Sequence, residues 1–167
     1  MKPTNGFTLI ELMFTLALAA IVVTLAVPGM RNFIHSNQAT SDANALVGAL
    51  NSARSEAVKR GIPVAVCASS DGSTCTGNNN WAVGWIVFTD NTGANKGSRD
   101  AGETLLRVGD ALASGGTINA GVNHIRYLSS GLTDSAGNVT FNLVLGSGSD
   151  KQTRTVTVTA TGRVSAG

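Results

Sequence analysis

Met1 to Gly29 reads MKPTNGFTLIELMFTLALAAIVVTLAVPG, and the class of the protein turns on how that stretch is understood. From Phe7 to Val27 only Thr8, Glu11, Thr15 and Thr24 interrupt a hydrophobic run. Three readings compete: an ordinary secretory signal, a simple transmembrane anchor, and a processed helix built for assembly. As a helix, Leu12 to Val27 spans about 24 Å, short of the ~30 Å hydrocarbon core of a bilayer. Adding Phe7 to Glu11 brings the length to about 31 Å, so the helix spans only with Glu11 at or inside the membrane boundary. A carboxylate costs about 2.5–3.5 kcal/mol at the bilayer centre and less near the interface. An ordinary cleaved signal has a basic end and an uninterrupted apolar stretch. Glu11 argues against it.

Glu11 has a local use and a longer-range one. Thr8-Leu9-Ile10-Glu11 fits a capping box, in which hydroxyl and carboxylate satisfy orphan amides at a helix start. The negative charge also suits the positive end of the helix dipole. Alternatively, Glu11 neutralises a buried ammonium, its own chain's or a neighbour's. That use requires a free amine at Phe7, and hence cleavage after Gly6.

Gly6-Phe7-Thr8-Leu9-Ile10-Glu11, with a short leader carrying Lys2 before it and the apolar run behind it, resembles the type III signal of type IV pilins and type II secretion pseudopilins. The resemblance implies a prepilin peptidase that cuts between Gly6 and Phe7 and N-methylates Phe7. It also implies a single-pass subunit in the bacterial inner membrane, its globular part in the periplasm. On assembly with other major and minor pilins the helix slides into a filament core, where Glu11 meets an adjacent subunit's terminal amine. Truncating one partner of such a buried pair costs about 3–5 kcal/mol.

Pro28 and Gly29 follow the apolar run. Proline removes a helical hydrogen bond and disturbs the preceding turn. The pattern nevertheless continues: Ala43, Leu46, Val47, Leu50, Ala53, Ala57 and Val58 recur at three- and four-residue steps, with Met30, Phe33 and Ile34 bridging the gap. One long helix, kinked at Pro28, is expected from about Phe7 to Arg60, roughly 80 Å long. Gly61 and Pro63 close it. The chain then divides into a leader (1–6), an apolar membrane and filament-core half-helix (7–28), an amphipathic half-helix (29–61) and a β-rich globular domain (62–167).

The 167 residues suffice for one domain with an appended element. Charged residues make up only 13%, and the formal charge of +2 is too small to announce a nucleic-acid partner. Beyond Gly61 the chain turns rich in Gly, Ser, Thr, Asn and Val, with candidate strands Val64–Ala68, Trp81–Thr89, Thr104–Val108, Val122–Leu128, Asn138–Leu145 and Thr153–Ala160. Trp81–Phe88 is apolar on both faces and reads as a central strand, with Trp81 and Trp85 on one side as core residues. Thr153–Thr159 alternates strictly, so one face should be solvated.

Cys67 and Cys75 lie eight apart around an Asp71-Gly72 turn. In an exported protein they pair, which stabilises by about 2–3 kcal/mol for so short a ring. The competing reading is a zinc pair, though no His or further Cys lies nearby. Asp90 to Glu103 is a long polar loop that invites a calcium reading. Ala94 and Lys96 stand where EF-hand ligands belong, so a solvated hairpin loop is expected. No catalytic set assembles: His35 and His124 stand apart, and no nucleophile elbow, metal cluster or phosphate loop is present. Neither a cofactor nor a metal is expected.

Ser52–Arg60, the Trp81–Phe88 stretch and the Asp/Gly loop ending in Gly102-Glu103 resemble the GspH/FimT/FimU branch, whose C-terminal part is a β-rich domain of two sheets packed on the helix. The fold class expected is thus α+β, pilin-like. The resemblance implies a minor pilin that helps initiate or assemble a type IV pilus, or a GspH-type minor pseudopilin of a type II secretion system. A third implication is DNA binding for natural transformation, through a motif resembling Gly-Arg-x-Arg. Here it reads Gly162-Arg163-Val164-Ser165, lacking the second arginine. Losing one of two adjacent cations weakens phosphate contact, unless Arg154 and Lys151 share the surface with Arg163.

Overall fold

A computed structural model describes residues 6–92, 95–112 and 115–167. Helix α1 runs from Leu9 to Arg60, 52 residues and about 78 Å. It opens at Thr8, whose hydroxyl accepts a hydrogen bond from the Glu11 amide at 3.3 Å. It ends with Lys59 and Arg60 in the last turn, where cations suit the dipole, and closes at the left-handed Gly61. The helical backbone passes through position 28 without a break. The Pro28 side chain, like the leader residues 1–5, lies outside the described residues.

The second half of α1 buries Ala39, Ala43, Leu46, Ala49, Leu50, Ala53 and Ala57. This is a stripe at three- and four-residue steps, mostly of small side chains that let the sheets approach closely. Val47 packs at its margin. Val58, expected on the stripe from its spacing, is exposed, because one step beyond Ala57 rotates a residue about 100° away.

Two antiparallel four-stranded sheets cover that stripe. The first contains β1 (Val64–Ala68), β2 (Trp85–Thr89), β3 (Leu105–Gly109) and β5 (His124–Tyr127), in the order β3-β2-β1-β5. The second contains β4 (Thr117–Asn119), β6 (Val139–Leu145), β7 (Gln152–Val158) and β8 (Val164–Ala166), in the order β4-β6-β7-β8. The expected two-sheet, pilin-like α+β architecture is present.

The central strands of sheet one, β1 and β2, are buried on both faces. Val64, Val66, Ala68, Trp85, Val87 and Tyr127 face the main core with α1 and sheet two. Ala65, Cys67, Ile86 and Phe88 form a smaller cluster on the outer face with Cys75 and Leu105. The Cys67–Cys75 disulfide, Cα–Cα 5.7 Å, therefore straps a loop over the back of the sheet. The two sulfurs are bonded to each other, which removes the zinc reading.

The expected strand Trp81–Thr89 is in fact two elements. Trp81–Val83 is a 3-10 turn, and β2 begins only at Trp85. The Asn80 side chain accepts from the Ala82 amide at 3.2 Å and Gly84 N donates to Trp81 O, so local capping overrides the β propensity of the run. Trp81 is consequently not beside Trp85 on a strand, although both are core residues. Its ring meets Phe141 edge-on at 4.9 Å and its Nε1 donates to Val122 O at 3.1 Å, joining the connections of both sheets.

Candidate assembly site

Gly6, Phe7 and every described side chain from Phe7 to Thr24 are exposed, Phe7 to 77%. A helix that is apolar all round needs a non-aqueous partner over its whole circumference. The four polar interruptions are not equivalent. Thr8 caps the helix. Thr15 donates its hydroxyl to Leu12 O at 2.9 Å and Thr24 to Ile21 O at 2.8 Å, so both satisfy themselves within the helix. Glu11 does not: its carboxylate accepts no hydrogen bond and joins no ion pair among the described residues. The first turn therefore presents one acid without a counter-charge, a turn after Phe7, at the head of an exposed apolar rod.

The last turn of α1 keeps its charges local. Glu56 pairs with Arg60 at i,i+4 and with Lys59 at 3.9 Å. The Arg60 hydrogen bond holds the Glu56 carboxyl below its usual range. Arg54 reaches across to the globular part, with Nε donating to Gly131 O at 3.0 Å and Nη2 to Thr161 O at 3.2 Å.

Those bonds explain Gly162. It sits buried in the turn between β7 and β8 with φ +79°, and a Cβ there would stand 2.1 Å from Gly131 O and 3.1 Å from Arg54 Nε. Arg163 is exposed and precedes β8, rather than following the last strand as the sequence suggests. The other candidate cations do not join it. Arg163 lies opposite Thr159, whereas Lys151 precedes the start of β7, about 26 Å along the strand. Arg154 is half-buried on the helix side, with Nη2 bonded to Ser36 Oγ at 3.2 Å. Arg163, Arg154 and Lys151 thus do not share one surface, the condition on which they would compensate for the missing second arginine.

The loop between β2 and β3 is less solvated than expected. Asp90 and Glu103 are both buried to 2% exposure. Asp90 Oδ2 accepts from Arg126 Nε at 2.6 Å and from Gly97 N at 2.8 Å, while Arg126 Nη2 donates to Asp90 O. Glu103 accepts from Thr92 and from Asp100 N. These carboxylates hold the loop's own backbone, and among the described residues no group of three or more His, Cys, Asp or Glu could hold a metal. Arg126, unremarked in the sequence, is the residue this loop depends on; a pairing 36 positions apart leaves no local signal.

On the back of the sheet, Asp71 closes the disulfide loop. Its carboxylate accepts from the Ser73 and Thr74 amides and from both the Thr74 and Ser69 hydroxyls. These bonds, Thr74's first, hold the Asp71 carboxyl well below the usual carboxylate range.

A model of the family described as type II transport protein GspH matches residues 42–162, and a model of the prokaryotic N-terminal methylation motif matches residues 1–27. Among solved structures, the type IV minor pilin FimU of Pseudomonas aeruginosa superposes with a TM-score of 0.61 at 23% identity, over 81% of this chain and 92% of that one. The minor pseudopilin EpsH from the type 2 secretion system of Vibrio cholerae gives 0.52 at 17% identity, over 77% of this chain and 95% of that one. The two likenesses establish the fold.

Proposed function

This chain belongs to the GspH family of type II transport proteins, as a minor pilin or pseudopilin of the type IV pilus or type II secretion kind, and from that premise we propose that it helps initiate and build a type IV pilus. The family is a structural one, so the chemistry to explain is assembly and not turnover. Processing after Gly6 frees an amine at Phe7, and the subunit waits in the inner membrane with its globular part on the periplasmic side. It then enters the fibre beside other pilins. The observation carrying this reading is the lone Glu11 carboxylate on an otherwise self-satisfied, fully exposed apolar helix. The helix dipole favours an acid in that position only modestly, and a neighbouring subunit's terminal ammonium would supply the counter-charge it lacks.

The description of the family as type II transport favours a second reading, a minor pseudopilin of a secretion system built on the same helix chemistry. Sheared fibres probed for this subunit, together with identification of the pilins or pseudopilins recovered with it, separate the two. DNA binding through Gly162 and Arg163 has less support, since Gly162 serves the β7–β8 turn and the accompanying cations lie apart.

The test of the assembly mechanism is Glu11→Ala. Mass spectrometry should find the variant cleaved and N-methylated at Phe7 as in the wild type. Its amount in sheared fibres should fall at least tenfold, because truncating one member of a buried charge pair costs about 3–5 kcal/mol. Incorporation at the wild-type level would remove the charge-pairing account.

A further inference from the structure

Three loops meet beside β5: 77–79, which follows the disulfide, 121–124, and 134–135. Between them lies an open cleft of about 640 Å³, inside the ~300–1,000 Å³ range of ligand pockets. Its lining is polar where such pockets are mostly apolar. Asn78, Asn79, Gly121, Asn123, Asp134 and Ser135 face it, and all but the half-buried Ser135 are exposed. Their polar groups reach solvent, and so a ligand can reach them.

The walls are fixed before anything binds. The Cys67–Cys75 bond and the Thr76 amide, which donates to Ala68 O at 2.8 Å, hold the start of the first loop. Asn78 Oδ1 accepts from the Asn80 amide at 3.0 Å and from the Thr76 hydroxyl at 3.2 Å. Trp81 Nε1 holds Val122 O in the second loop, and Asn123 Nδ2 crosses to Gly77 O at 3.4 Å. The Asp134 amide donates to Arg126 O at 3.1 Å. A surface ordered in advance loses less entropy when a ligand arrives. Other polar groups stay unused. Asn78 Nδ2, the whole Asn79 side-chain amide and the Ser135 hydroxyl make no hydrogen bond among the described residues. The Asp134 carboxylate accepts none either, and the cation beside it, Arg126 Nη1, stands 3.7 Å away.

We propose that this cleft binds a neutral sugar unit of a glycan, its ring hydroxyls donating to the Asp134 carboxylate and accepting from the Asn78 and Asn79 side-chain amides. Amide N–H groups need an oxygen, whereas a carboxylate needs a donor. A simple cation answers only the carboxylate, and a simple anion only the amides. A hydroxyl answers either, and a sugar ring presents several at fixed spacing. Charge gives the same answer. Asp134 is the one carboxylate in the lining and already faces Arg126, so no ammonium is required. Among the described residues no lysine or arginine lines the cleft, so an anionic ligand finds no counter-charge in its walls. Gly121 keeps the floor clear: a Cβ there would meet nothing within 4 Å. None of this depends on which fibre the subunit joins.

The experiment is an NMR titration of the full-length chain in dodecylphosphocholine micelles, a detergent without a sugar headgroup. Maltose, cellobiose, lactose and mannobiose are the probes, each taken to roughly 100 mM, well above the millimolar-order Kd expected for ligands of this size. Tetrahydropyran-2-methanol, a ring without the secondary hydroxyls, is the control compound. The Asn44 and Asn142 side-chain amides, exposed on α1 and β6, report effects away from the cleft. At least one disaccharide should shift the Asn78 and Asn79 side-chain signals saturably, while the Asn44 and Asn142 signals and the control titration stay flat. Asn79→Ala removes a side chain that bonds nothing in the protein, so its spectrum should stay folded. Its affinity should fall by about threefold or more, the loss of one hydrogen bond. Any one of three results overturns the proposal: cleft amides indifferent to all four sugars, cleft amides equally responsive to the control compound, or undiminished binding by Asn79→Ala.

Discussion

Arg126→Met tests how far the globular half depends on one buried ion pair. Asp90 is 2% exposed and receives two charged or polar donors on Oδ2, Arg126 Nε at 2.6 Å and Gly97 N at 2.8 Å. Methionine keeps most of the volume of the arginine stem but leaves Asp90 with the amide alone. An uncompensated buried carboxylate costs about 3–5 kcal/mol, whereas an exposed pair costs about 0–1 kcal/mol. The Arg126 side chain is 11% exposed, so the upper range applies, trimmed by whatever water reaches Asp134 at 3.7 Å on its far side. A loss of about 3 kcal/mol lowers Tm by about 10 °C for a chain of this size. Heat and urea unfolding of the full-length protein in micelles, followed by the fluorescence of the two core tryptophans, measures it. Asp90→Asn added to Arg126→Met removes the stranded charge while keeping an acceptor for Gly97 N, and should restore more than half of the loss. A single variant that loses less than about 1 kcal/mol, or a double variant no better than the single, refutes the buried-charge argument.

Gly162→Ala should destabilise by more than about 1 kcal/mol, since it adds a left-handed Cβ and drives it into Gly131 O; urea unfolding reads the loss. Asp71→Ala should unfold more easily than the wild type at neutral pH, with a gap that depends on acidity. The folded Asp71 carboxyl is depressed, so its contribution is complete above the unfolded value of about 3.9 and is lost as pH falls toward the folded one. Thermal melts of both proteins from pH 7 downward should therefore show the gap closing in acid; a gap that widens there contradicts the assignment.

The long helix and the large strands were legible because their patterns are long. Ala43, Leu46, Leu50, Ala53 and Ala57 repeat often enough to show a period, and β1 is recoverable at both ends from Val64 to Ala68. The three-residue strands β4 and β8 were not, since Thr117–Asn119 and Val164–Ala166 are too short to display alternation and exist by pairing with β6 and β7. Trp81 misled because its apolar neighbours look like strand while Asn80 and Gly84 impose a turn. At the assembly end, Glu11 stood out in a greasy run. Its isolation became clear only once Thr15 and Thr24 were seen to bond back onto their own helix. The Asp90–Arg126 pair was invisible because it joins segments 36 positions apart whose meeting depends on the whole sheet.

The length of bare helix bears on anchor against assembly element. Contact between α1 and the globular part is established by Ser36, where Arg154 reaches it, and Asn32 and His35 are already half-buried, so the stretch ahead of them, 7–31, projects about 37 Å. A bilayer covers about 30 Å of hydrocarbon, so with Glu11 at one boundary the other falls near Arg31. The chain just beyond that boundary is not polar: Phe33 and Ile34 are each more than half exposed. A plain anchor gains nothing from apolar side chains that lipid does not reach, and exposing them to water is unfavourable by about 25 cal/mol per Å². In the assembly proposed above, helices of neighbouring subunits would cover Phe33 and Ile34 as well as the stretch before them, and a neighbour's terminal ammonium would meet Glu11. A boundary position and the helix dipole account for Glu11 in a membrane, but they leave Phe33 and Ile34 facing water, and it is these two residues that favour the proposed bundle of like helices over a plain anchor.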